Sequence, residues 1–496
     1  MTAIEQSAPT KYPDVRNYIG GTFVDPSVEE HLDVTNPADG SVISRVPLSA
    51  ANDVDRAVAA AKEAFPGWSA MPIKERVQVF FRYKALLEKN IDELAALVTE
   101  ENGKVLNEGR AEVLKSAELT EFACSLPQIT AGEVLEVSRG VECRVERYPV
   151  GVVASITPFN FPNMVPNWTI PNAIALGNCM ILKPSEQVPI SAGRIAELLR
   201  EAGLPDGVLN IVHGGQATVE AICDHPGIDG ISFVGSTKVA KIVFRRGSSS
   251  VNLKRVLALG GAKNHLIVMP DAEPEMTSTN VVASMAGCAG QRCMAASVMM
   301  AVGKTDHIIE RMVNIVRGMV PGVHIGPVIS REAKARIESY ITEAEKMGAK
   351  VLVDGRGYAV PGKENGYYVG PTLIDYVTPD MRIAQEEVFG PVMVIIRANN
   401  VEDAVRVQHG SPYGNAASVF TESGSVARYV MENASAGMVG VNVGVPVPRE
   451  PFGFGGWNDS KFGVGDITGR GSIEFWTKSK KMTTKWNKEA GVNWMS

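Results

Sequence analysis

The sequence predicts an α/β fold built on parallel sheets. Three observations carry that expectation. Short apolar runs at Gly151–Ile156, Met180–Pro184, Leu209–Val212 and Gly230–Val234 have the length of buried strands. Helical patterns fall between them, as at Ile195–Leu199, and this alternation marks βαβ units. The same alternation restarts near Val256 and runs past Val419, so a second α/β unit follows the first. At roughly 150 residues per domain, 496 residues allow about three domains or lobes.

The first fifty residues are rich in Gly, Pro, Asp and Val and fit short strands and turns. Examples are Tyr18-Ile19-Gly20-Gly21 and Asn36-Pro37-Ala38-Asp39-Gly40. From Asn52, Val54, Ala57, Val58, Ala61 and Phe65 recur at helical spacing, and Pro66-Gly67 is expected to stop that helix. A second long helical stretch carries Val77, Phe80, Leu87, Ile91 and Leu94, and a third follows Glu108. Val141–Pro149 alternates charged and apolar side chains (Glu142, Arg144, Glu146, Arg147), as an exposed ribbon strand does.

Composition excludes several classes. The chain is 45% apolar and 21% charged, and 49 basic against 55 acidic residues give a net charge of −6. That balance lacks the basic face of a nucleic-acid binder. No run of 18 apolar residues reads as a membrane span, and Met1-Thr2-Ala3-Ile4-Glu5-Gln6 has no signal-peptide character. The six cysteines, Cys124, Cys143, Cys179, Cys223, Cys288 and Cys293, form no CxxC pair and no zinc-site spacing. They read as reduced thiols in a cytoplasmic compartment, with no metal site.

Five local motifs carry chemistry. In Phe233-Val234-Gly235-Ser236-Thr237-Lys238, a strand ends in Gly-Ser-Thr and a helix follows. Helix N–H groups there suit a phosphate, although such a junction alone is also an ordinary β–α turn. Lys183 and Glu186 follow another strand, where ligands of open α/β sheets bind. They suit ribose hydroxyls, and equally a solvated surface pair. Gly287-Cys288-Ala289-Gly290-Gln291-Arg292-Cys293 holds two thiols among small residues. Arg292 adjoins Cys293, whereas Cys288 reads as a buried structural thiol. Thr157-Pro158-Phe159-Asn160-Phe161-Pro162 offers an Asn amide to an oxyanion, or a plain turn Asn. Glu386 and Glu387 precede Val388-Phe389-Gly390-Pro391 and also fit ordinary surface charge.

In this order the motifs resemble the aldehyde dehydrogenase superfamily over nearly the whole chain. The matches are TPFNFP, ILKPSE, FVGST, Leu259-Gly260-Gly261, GQRC, EEVFGP, and Asn442 followed by PFGF. The resemblance implies a Rossmann-like NAD-binding domain at residues 1–132 and 151–257 and a catalytic domain at 258–466. It also implies a small β oligomerisation element at 133–150 and 467–496, making homodimers or homotetramers. By matching motif, it makes Cys293 the nucleophile and gives the oxyanion the Asn160 amide and the Cys293 N–H. Lys183 and Glu186 would hold the adenine-side ribose, Gly235 and Ser236 the pyrophosphate, and Glu387 the nicotinamide ribose. Phe159 and Phe389 would complete the cofactor site.

One departure narrows the resemblance. Hydrolytic members carry Glu before LGG, where this chain has Ala258, which cannot activate a water. Gly260-Gly261-Ala262-Lys263-Asn264-His265 and the tail Lys480–Trp486 are similar to the CoA-acylating methylmalonate-semialdehyde dehydrogenase branch. That branch implies CoA as cosubstrate and two arginines for the substrate carboxylate. Arg292 matches one, and Lys115 stands at the other, keeping charge but not the planar fork. The expected activity is NAD-dependent oxidation of malonate or methylmalonate semialdehyde through a Cys thioester, with decarboxylation and transfer to CoA. The alternatives are a hydrolytic semialdehyde dehydrogenase and a non-catalytic scaffold.

Overall fold

The computed structural model describes residues 10–486. The start of the sequence, including Met1–Gln6, and residues 487–496 of the expected oligomerisation element lie outside the described residues.

Two large sheets organise the molecule. The first runs Thr22–Val24, Asn17–Ile19, Leu209–Ile211, Cys179–Lys183, Val152–Ile156, Gly230–Val234, Arg255–Leu259 and Lys461–Phe462 in spatial order. Its five central strands are parallel, and the strands at both margins are antiparallel. Strands 152–156 and 179–183 are buried at every position, which is why they read as continuous apolar runs rather than alternating ones. From Val152–Ile156 the chain builds outward to one side, then returns to place Gly230–Val234 on the other. That reversal is the switch point at which doubly wound sheets open a crevice beyond their strand ends. The residues that follow the two flanking strands are Thr157 and Gly235.

The second sheet runs Lys350–Val353, Thr372–Asp375, Val392–Ala398, Ala296–Val302, Asn264–Val268, Ala416–Phe420 and Met438–Val441. Only its first strand is antiparallel. A smaller antiparallel ribbon pairs Val141–Pro149 with Glu133–Ser138 on one side and Thr477–Lys485 on the other.

Two helical expectations need correction. Pro66-Gly67 does not stop the first helix, which spans Ala51–Ala70. Pro66 removes one N–H from the ladder, and tertiary packing outweighs that loss. Trp68, 2% exposed, anchors the last turn and donates its indole N–H to the Ile174 carbonyl at 2.9 Å. The second stretch is two helices, Ile73–Lys89 and Ile91–Asn102, broken at Asn90. The Asn90 amide donates back to the Leu86 carbonyl at 2.7 Å, which competes with continuing the helix. The third helix, Leu106–Ile129, begins just before Glu108.

Candidate active site

The nucleotide-like crevice is assembled from strand ends. Lys183 is the last residue of its strand, 4% exposed, and its ammonium meets Glu186 at 2.9 Å. Ser236 caps the helix Thr237–Ser248 by accepting from the Val239 N–H at 3.5 Å. Gly235 bonds the Leu259 carbonyl, and a Cβ on it would press to 2.6 Å from the Phe233 ring. The helix start is tied to the strand beyond Leu259, because the Thr237 hydroxyl accepts the Gly261 N–H at 2.8 Å.

Glu387 reaches the same backbone. Its carboxylate accepts the Ala262 N–H at 2.9 Å, and a Cβ on Gly261 would stand 2.5 Å from the other carboxylate oxygen. Withdrawal from water pushes the Glu387 carboxyl up to about 7, against the pull of Ala262 N–H, Lys263 and Arg336. Phe389, held at φ 53°, packs edge-on to Phe159 with ring centroids 5.8 Å apart. Two loops far apart in sequence therefore close over one space.

Cys293 lies half-buried beyond a strained turn. Cys288 and Ala289 hold left-handed φ values of 53° and 52°, followed by Gly290 at 69°. Glu108 fixes this turn by accepting the Cys288 N–H at 2.6 Å. Gly290 has no alternative, since a Cβ would lie 2.0 Å from the Gly390 carbonyl oxygen. Burial pushes the Cys293 thiol up to about 12, and Glu387 adds to the rise. Arg292 and the N–H groups of Cys293 and Met294 oppose it. Cys288 is 8% exposed, as a structural thiol should be.

Asn160 is buried, and one of its amide hydrogens goes to the Gln291 carbonyl at 3.0 Å. An Asn amide carries two N–H donors, so one of them has no partner among the described residues. Asn160 is therefore tied to the thiol loop through the carbonyl of Gln291, two positions before Cys293.

The two expected carboxylate binders are already engaged. The Arg292 guanidinium turns back to the carbonyls of Ala283 and Ser284, at 2.7 and 2.9 Å, near the end of the helix Pro274–Ala286. Lys115 donates to Glu118 and Glu450, each at 3.0 Å.

Other residues of this region have no role assigned from the sequence, although Lys263 and Asn264 belong to the Gly260–His265 stretch. The Cys293 carbonyl accepts amide N–H groups from Asn264, the first residue of its strand, and Asn415, the residue before the strand Ala416–Phe420, both at 2.8 Å. The available signal is an Asn at the head of each apolar strand run. Lys263 is 2% exposed with no hydrogen-bond partner among the described residues, and burial pushes its ammonium down to about 7. His213 is 1% exposed with an unpartnered Nδ1. Burial and the Lys183 charge push it down to about 3. An orphaned ring nitrogen beside Lys183, a capped helix start and a carboxylate at the far end together suit a dinucleotide.

Comparisons with known proteins establish the family. A model described as the aldehyde dehydrogenase family matches residues 23–482. Malonate-semialdehyde dehydrogenase 1 of Geobacillus thermodenitrificans (strain NG80-2) is 45% identical over 480 residues, which are 95% of this chain and 99% of that protein. The solved methylmalonate-semialdehyde dehydrogenase of Oceanimonas doudoroffii superposes with a TM-score of 0.94 at 42% identity, covering 96% of this chain and 99% of that one. A protein of Sinorhizobium meliloti 1021, assigned as a methylmalonate-semialdehyde dehydrogenase and complexed with NAD, gives a TM-score of 0.94 at 39% identity. It covers 98% of this chain and 100% of its own.

Proposed function

The chain belongs to the aldehyde dehydrogenase family, and from that premise we propose that it oxidises malonate or methylmalonate semialdehyde with NAD and passes the decarboxylated acyl group to CoA. The observation that carries the reading is that the Asn160 amide is bonded to the loop of Cys293, whose thiol feels the Glu387 carboxylate. Relatives named for these semialdehydes, and one structure with NAD, support the substrate class and cofactor.

Lys183, Glu186, Gly235, Ser236, Glu387, Phe159 and Phe389 would hold NAD, which when bound supplies the hydride acceptor. The chain does the rest. The Cys293 thiol gives its proton to water and its sulfur bonds the aldehyde carbon, moving the carbonyl electrons onto oxygen. The second Asn160 N–H and the Cys293 N–H steady that oxyanion. Loss of hydride from the same carbon leaves a thioester on Cys293. A substrate carboxylate β to the thioester carbonyl departs as CO2, its electrons entering the carbonyl and returning to take a proton at the α-carbon. Arg292 and Lys115 hold that carboxylate beforehand, which at Lys115 means exchange with Glu450. CoA thiolate then attacks the thioester and Cys293 leaves as thiolate.

Ala258 underlies the choice of acceptor. It lies in the sheet core, 0% exposed, and offers no carboxylate to water. A positioned general base contributes roughly 10²–10⁴-fold, whereas a thiol of pKa about 8.5 needs far less help. Without CoA, NADH should appear in a burst near one equivalent per active site, followed by a slow rate. CoA should accelerate turnover and yield acyl-CoA. Fast turnover unaffected by CoA would instead establish the hydrolytic enzyme.

The ribbon 133–150 with the described part of 467–496 serves as the oligomerisation element of a homodimer or homotetramer. Glu133–Ser138 is exposed along its whole length and presents Val134, Leu135 and Val137 to solvent. An apolar, unpaired edge of this kind calls for a partner strand.

A further inference from the structure

Lys104 and Glu112 form an ion pair with side chains only 2% and 0% exposed, and no step above uses either. Burying two charges is unfavourable unless their donors and acceptors are taken up, and here they are taken up by one loop. The Lys104 ammonium meets Glu112 at 2.6 Å, bonds the Asn160 carbonyl, and stands 3.8 Å from the centre of the Phe161 ring. The second oxygen of Glu112 accepts the N–H groups of Asn163 and Met164 at 2.8 and 3.0 Å. Asn102 adds a bond to the Phe159 carbonyl at 2.9 Å, and Ser116 one to the Asn163 side chain at 2.7 Å. The backbone on either side of Asn160 is thus gripped from the helices Ile91–Asn102 and Leu106–Ile129. Gly103 makes the approach possible: at φ 90°, a Cβ would come within 2.7 Å of Pro327.

The grip matters because of what lies on the other side of Asn160. Its amide is bonded to Gln291, two residues before Cys293, and Gln291 is held by the Ile329 N–H at 2.9 Å. The amide is fixed from the thiol side through Gln291 and from the far side through its own backbone carbonyl. We propose that Lys104 and Glu112 are positioning residues that set where the Asn160 amide stands relative to the reacting carbonyl, acting through the loop 157–164. The proposal rests on Asn160 being the oxyanion donor to the Cys293 adduct.

The experiment separates positioning from folding. A buried pair replaced by apolar side chains of similar volume commonly keeps the fold, so Lys104→Met combined with Glu112→Leu is compared with wild type, Lys104→Arg and Asn160→Ala. Each protein is assayed with NAD and semialdehyde for its NADH burst rate, for NAD affinity and for alkylation of Cys293. The double variant should bind NAD and alkylate as wild type does. Its burst should slow by roughly tenfold or more, within the ~10²–10³ that one oxyanion donor is worth. Adding Asn160→Ala to it should cost less than Asn160→Ala costs in the wild type, and Lys104→Arg should recover part of the rate. Where the double variant does not fold, Glu112→Gln reads the same burst. A folded double variant within twofold of wild type, beside a slow Asn160→Ala, overturns the clamp alone. Asn160→Ala at the wild-type rate overturns the oxyanion reading, and the clamp with it.

Discussion

Cys293 shows how much a side chain's chemistry depends on its surroundings. In sequence it has Arg292 beside it, which favours a thiolate. In the fold, Nη2 of Arg292 turns to helix carbonyls, while burial and Glu387 push the thiol up to about 12. The resting thiol is therefore protonated at neutral pH, and its anion grows about tenfold per pH unit until that value is reached. Alkylation of Cys293 by iodoacetamide, without cofactor, should rise about tenfold per unit from pH 7 to 10. A plateau near the ordinary thiol value of about 8.5 would contradict the burial effect.

At the scale of elements, helix starts and helix faces do the positioning. Leu106–Ile129 presents Glu108, Glu112 and Ser116 at intervals of four, hence on one face, and they hold the thiol turn and the Asn160 loop. The helix Thr237–Ser248 depends on Ser236 for its cap. At 3.5 Å that bond is long, so Ser236→Ala should cost about 0.5 kcal/mol, the low end of the capping range, in urea unfolding. If Ser236 also faces the pyrophosphate, the variant should bind NAD more weakly while Cys293 alkylates at its normal rate. Unchanged NAD affinity would reduce Ser236 to a cap. The failed stop at Pro66 belongs to this scale as well: one missing N–H is outweighed by a buried Trp68 with its own hydrogen bond.

For the whole molecule, the three-stranded ribbon joins distant parts of the chain, since Val141–Pro149 pairs with Thr477–Lys485 along its full length. Its free edge bears Leu135 and Val137, 66% and 52% exposed. Leu135→Glu with Val137→Glu should leave the fold intact and reduce the sedimenting mass. An unchanged sedimentation coefficient would remove this edge from the subunit interface.

The sequence by itself determined the parallel strands, because residues buried on both faces leave an unbroken apolar run that local pattern reveals. It also placed the functional motifs at strand ends: Thr157 follows Ile156, Gly235 follows Val234, and Lys183 ends its own strand. Only the tertiary structure decided what those groups meet. Asn264 and Asn415, far apart in the chain, converge on the Cys293 carbonyl. Lys104 and Glu112 become a buried pair around the Asn160 loop. Lys115, expected at the substrate carboxylate, meets Glu118 and Glu450. The physical reason is one of range. Periodicity records which face of an element avoids water, whereas a hydrogen bond or ion pair is fixed by the few ångströms between groups that only the packed fold brings together.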